Sequence, residues 1–101
     1  MSLQDFVELP LHDALLSNIE VLWQEKLVRV RLSAFVISGH KAKPHQLEFH
    51  GVSHVSLPHS EPWGQSSSVL AGSQAGSTYQ LQMQSGDNIE VTARGFSFVA
   101  V

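Results

Sequence analysis

Cysteine is absent from the sequence, which excludes disulfide staples, thiol nucleophiles and cysteine-based zinc sites. Such a chain suits a reducing compartment, and the cytoplasm is the expected location. Charge is sparse: Asp, Glu, Lys and Arg make up 15% of the chain, six basic residues against nine acidic ones, for a formal charge of −3. The basic residues group only at Lys26, Arg29 and Arg31 and at Lys41 and Lys43, with Arg94 alone. That provides no face able to neutralise a row of phosphates, so a nucleic-acid partner is not expected. Long hydrophobic runs are missing too. Nothing approaches the roughly 18 apolar residues that cross a bilayer. The start, Met1-Ser2-Leu3-Gln4-Asp5-Phe6, has neither the basic nor the apolar region of a signal peptide. No membrane partner is expected.

Signatures of catalysis are equally scarce. Gly72-Ser73-Gln74-Ala75-Gly76 holds its serine in the wrong place for a nucleophile elbow. There is no phosphate-cradling glycine loop and no dinucleotide fingerprint. The carboxylates Glu61, Asp87 and Glu90 are scattered rather than paired as a glycosidase needs. A triad could be drawn from Asp13, His12 and one of Ser66, Ser67 and Ser68, but any serine-rich chain with six histidines permits that. No catalytic residue is assigned, and enzymatic activity is not expected.

Histidine is the one abundant reactive type: His12, His40, His45, His50, His54 and His59. Imidazole ligates zinc, copper, nickel and iron. Ligands on a strand meet at i, i+2, however, and no His-x-His occurs. His50 and His54 are spaced for a helix within a segment that reads as strand. No metal site and no cofactor are therefore expected. A metal-binding protein using His45, His50, His54 and His59 remains an alternative.

What is present is alternation. At 101 residues and 43% hydrophobic, the chain is expected to form one domain over 1–101. Residues 1–13 read as a lead-in. Residues 15–23 fit either a helix or a strand, and strand is favoured for 17–23 because the next segment wants a hairpin partner. In that segment Val28, Val30 and Leu32 alternate with Arg29 and Arg31, and Gln24-Glu25-Lys26 supplies the turn before it. The run continues apolar through Ala34-Phe35-Val36-Ile37. Residues 45–57 read as one long strand with a bulge or bend at Gly51. Residues 58–78 form the least regular stretch, with a short strand at Val69-Leu70. A second hairpin, Tyr79 to Gln84 and Ile89 to Arg94, turns at Ser85-Gly86-Asp87-Asn88. Phe96, Phe98 and Ala100 close an apolar end. The expected fold is mainly β with little helix. It is a single antiparallel sheet of about six strands, folded as a small sandwich or partly open barrel.

Two loop elements stand out. His12-Asp13 suits a hydrogen-bonding corner, and Glu61-Pro62-Trp63-Gly64 has the residue order of a tight turn. Trp63 is either a contact anchor or an inward plug of the sheet, and the domain's need for core aromatics favours the plug. If a site exists, it is expected where His12 and Asp13 meet Glu61 and Trp63 at one end of the sheet.

Several motifs carry a resemblance. They are Leu11-His12-Asp13-Ala14 with Ile19-Glu20-Val21 and Trp23; Phe49-x-x-Val52; Glu61-Pro62-Trp63-Gly64-x-Ser66; and Met83-Gln84-Ser85-Gly86-Asp87-x-Ile89. Together they resemble a family of small bacterial proteins of unknown function across residues 9–98. The His-Asp opening and the Phe-x-x-Val segment are also similar to some immunity proteins of bacterial toxin systems. The resemblance implies a β-rich bacterial domain and supplies no catalytic residue. The expected function is non-catalytic binding of another protein, immunity-like, with self-association through an edge strand as the alternative.

Overall fold

The alternation from Leu27 onward forms a strand whose even-numbered residues are buried, so one apolar face is available to a core. In the computed structural model, which describes residues 5–35 and 41–101, this strand lies inside one of two antiparallel sheets. A 3₁₀ turn at Phe6–Glu8 precedes β1 (Leu15–Leu22), β2 (Leu27–Ala34), β3 (Lys43–His50) and β4 (His54–Ser56). Then follow β5 (Val69–Ala75), β6 (Thr78–Met83), β7 (Asn88–Thr92) and β8 (Gly95–Ala100). One sheet has the order β1-β2-β3-β8 and the other β4-β7-β6-β5. Val36, Ile37 and His40 lie outside the described residues.

Among the described residues the expected single sheet of about six strands is instead two sheets of four, with no closed barrel. The reason lies at Gly51. Its φ of 65° is open to glycine and strained for most side chains. The bend sends β3 and β4 into different sheets while Leu47, Phe49 and Val55 all keep their core side. Beside it the chain returns from β7 to β8. The Ser53 amide donates to Thr92 O (2.9 Å) and the Arg94 amide to His50 O (2.8 Å), so the two crossings brace each other. The sheets also touch where β1 begins. Leu15 pairs with Ser68, and the Leu16 amide donates to Ser67 O.

Two further expectations change. The lead-in is core: Phe6, Leu9, Leu11 and Ala14 are all buried. The Phe6 ring contacts Phe49 and Phe96 of one sheet and Tyr79 of the other, at centroid distances of 5.9, 5.3 and 5.1 Å. The irregular stretch 58–78 contains the whole of β5. Its Gly72 is where the lead-in approaches most closely, since a Cβ there would lie 2.8 Å from Leu11 Cδ1 and 3.1 Å from Phe6 Cε2.

Because Phe6 is fully buried and joins both sheets, Phe6→Ala is expected to destabilise the protein by about 3–5 kcal/mol. Val7→Ala, at an exposed neighbour, should stay within about 0.5 kcal/mol. Urea denaturation of the two variants checks this.

Candidate functional site

The turn between β6 and β7 organises one end of the molecule. Gly86, with a φ of 93°, closes it by donating its amide to Met83 O (3.0 Å), and the Met83 amide donates to Asp87 O (2.8 Å). Asp87 is 5% exposed, and its carboxylate accepts four hydrogen bonds. Oδ1 takes the Ser60 amide (2.9 Å) and hydroxyl (3.1 Å); Oδ2 takes the Glu61 amide (3.0 Å) and the Ser85 hydroxyl (2.8 Å). These bonds hold the carboxyl below its usual pKa. The Ser60 amide contributes most; burial opposes it, and the Ser85 hydroxyl, the Glu61 amide and the Ser60 hydroxyl reinforce it.

Asp87 thereby grips the segment that carries Trp63. Glu61 takes a φ of 52°, and the turn it begins is closed by the Gly64 amide donating to Glu61 O (3.1 Å). The Glu61 carboxylate accepts the Ser66 amide (3.2 Å). The Trp63 amide donates to Ser85 O (2.9 Å). The indole lies over Gly86, where a Cβ would fall 2.7 Å from Trp63 Cδ2 and 2.9 Å from Pro62 Cγ. Even so, Trp63 is 72% exposed. The favoured expectation that it plugs the sheet is therefore corrected, because the position between the sheets is filled by Phe6.

Asp13 reaches the same turn from another part of the chain, with His12 beside it. Asp13 adopts a φ of 65°, a left-handed conformation that aspartate tolerates better than most residues. Its amide donates to Val69 O (2.8 Å), and its Oδ1 accepts Gln84 Nε2 (2.7 Å). His12 donates from Nδ1 to Leu70 O (2.9 Å), and its Nε2 lies 3.5 Å from Asp13 Oδ2. Both imidazole nitrogens thus face groups other than a serine hydroxyl. Three of the four sequence-predicted residues, Asp13, Glu61 and Trp63, are bonded directly to one four-residue turn, Gln84–Asp87, and His12 stands beside it through Leu70 and Asp13. Ser60, Gln84, Ser85 and Asp87 do the anchoring; the sequence alone places Ser60 in the irregular stretch, Gln84 at a strand end, and Ser85 and Asp87 in the hairpin turn. The available signal was the Asp87 carboxylate in a serine-rich turn, which offers an acceptor to unpaired loop amides.

The remaining histidines disperse. His45 is buried and stacked on Phe98 (4.8 Å); His50 bonds Ser97; His54 and His59 lie near Glu90 and Glu61. Among the described residues no three histidine, aspartate or glutamate side chains group so as to hold a metal ion. Arg29 pairs with Glu48 (2.7 Å) and Glu20, and Arg31 with Glu20 (3.4 Å). No helix among the described residues is long and apolar enough to cross a membrane.

A second feature escaped the sequence. At the opposite end of β1, β6 and β7 a cleft of about 1100 Å³ opens between the β1–β2 turn, the Gly51 bend and Arg94.

The depressed pKa of Asp87 fixes a sign for the effect of pH. A carboxyl whose folded pKa lies below its unfolded value stabilises the fold above the ordinary carboxylate range. That contribution fades as pH falls through the folded value. Thermal unfolding from pH 7 down to pH 2 should therefore show the wild type losing more stability than Asp87→Asn, which starts lower and changes less.

Comparison of this chain with protein families, curated proteins and solved structures finds no match.

Proposed function

We propose that this protein is a non-catalytic binding module whose partner is another protein, with the contact end built on the turn Gln84–Asp87. His12, Asp13, Glu61 and Trp63 form its surface. The observation that carries this reading is the state of Trp63, which combines a largely exposed indole with a pinned backbone. Most exposed large side chains lose freedom on binding, and that loss weakens association. A tryptophan held beforehand loses little, and such residues are frequent anchors at protein interfaces. The surroundings are apolar and acidic. Leu70, whose carbonyl holds His12, and Leu15 beside Ser68 are exposed, and no Lys or Arg lies in the segments 11–15, 60–70 or 84–87. The motif resemblance noted in the sequence is consistent with a protein partner and a bacterial setting.

A specific observation also favours self-association through β8. Three of the four sheet edges are blunted. The pairings of β1 and β5 are each interrupted by a register shift, and β4 has only three residues. By contrast β8 pairs continuously with β3 and, among the described residues, on that side only; it carries no charge or proline and exposes Val99. Such an edge can pair with a second copy about a two-fold axis.

Affinity capture from lysate of the source cells should recover a stoichiometric protein partner, and Trp63→Ala should weaken its binding by roughly thirtyfold or more. Recovery of the protein alone, or equal binding by Trp63→Ala, would overturn the binding proposal. Separately, light scattering at micromolar concentration should report a dimer that Val99→Lys dissociates; a monomeric wild type rejects pairing through β8.

A further inference from the structure

The cleft at the far end from Trp63 is floored by apolar residues that face the core side of their sheet but are not covered by the other sheet. Val21 and Val28 are register partners on that side. Yet Val28 is 1% exposed and Val21 45%. Trp23, the next residue of the same parity, is 87% exposed. The inward face of β1 therefore emerges from the core step by step as the chain approaches its turn, and the cleft opens over the emerging part. Val52 and Ala93, at the two sheet crossings, line the cleft as well.

The rim carries opposite chemistry. Lys26 and Arg94 both line the cleft, against a single carboxylate, Glu25. Among the described residues neither Lys26 nor Arg94 forms an ion pair, whereas Arg29 and Arg31 on the sheet exterior do. Arg94 is also held in place. Its amide donates to His50 O, and its Cγ and Cδ pass 2.7 Å from the point a Cβ on Gly51 would occupy. A protein of net charge −3 thus sets two unpaired cations beside an uncovered apolar floor. The cleft volume of about 1100 Å³ lies just above the range of about 300–1,000 Å³ usual for small-molecule sites.

We infer that this cleft binds a small amphipathic carboxylate, with the apolar part on Val21, Val52 and Trp23 and the carboxylate on Arg94 and Lys26. A guanidinium can bond a carboxylate through two parallel N–H groups, which selects an anion over a neutral head group. The site is independent of the Trp63 end and needs no protein partner.

Decanoate, decanol and decylamine are the probes, titrated at sub-millimolar concentration into uniformly ¹⁵N-labelled protein and followed by amide and indole N–H shifts. Decanoate should move the Trp23 indole and the Val52 and Arg94 amides saturably while the Trp63 indole stays still. Decanol and decylamine should bind roughly tenfold more weakly, and Arg94→Gln should weaken decanoate by a similar factor. Val21→Asp, which places a carboxylate on the exposed floor, should abolish binding without lowering the unfolding midpoint by more than a few degrees. Absence of saturable shifts overturns the inference. So does equal binding of all three probes, or insensitivity to both Arg94→Gln and Val21→Asp, either of which would mean unspecific apolar contact.

Discussion

The Phe6 ring stands between the sheets, edge-on to Tyr79 and Phe96 and tilted against Phe49. Two short sheets can share a core only if something fills the space between their inner faces, and interiors are packed too tightly to leave it empty. Here a residue from outside both sheets does the filling. Its entry dictates several other features. Gly72 must lack a side chain where Phe6 and Leu11 pass. The chain after Leu11 must turn sharply at Asp13 to begin β1, and the Asp13 and Val69 amides tie that turn to β5. With Phe6 inside, Trp63 is left to the surface.

The two ends of the molecule are built by different physics. At the Trp63 end a buried, ionised carboxylate gathers amides and hydroxyls that a loop without regular pairing would otherwise leave to water. The result is an irregular segment with a fixed backbone, which is the condition for a loop to act as a recognition surface. At the other end the sheets part because the chain crosses between them, and the apolar face of β1 runs beyond the cover available. Rigidity there comes from paired crossings at Gly51 and Arg94 rather than from a polar network.

Much of the β structure was legible from alternation. The strand favoured at 17–23 is β1, the turn at 24–26 sits between β1 and β2, and the hairpin about 85–88 joins β6 to β7. These are local features, set by side-chain period and turn chemistry. The helix–strand ambiguity of 15–23 was settled by pairing with β2, which no local property encodes. Phe6 was illegible as core because a three-residue 3₁₀ turn has no period to read. β5 was cut short because Ala71, Gly72 and Ser73 have weak strand preference and are held by their ladder to β6. The division into two sheets was hidden because residues 47–55 keep a single parity through the Gly51 bend.

By itself the sequence determined the strand pattern, the turn positions and the residue types available for chemistry, because these follow from a period of two and from local backbone preferences. It also marked His12, Asp13, Glu61 and Trp63 as residues to watch. Only the tertiary structure decided that Asp13, Glu61 and Trp63 are all anchored to the Gln84–Asp87 turn, a contact that for Asp13 spans 71 residues. It alone decided that Trp63 faces outward and that Val21 and Trp23 emerge beside Arg94. The physical reason is the same throughout. Burial and hydrogen-bond partnership depend on what other parts of the chain cover or leave open, and that competition is resolved only when both sheets close on one core.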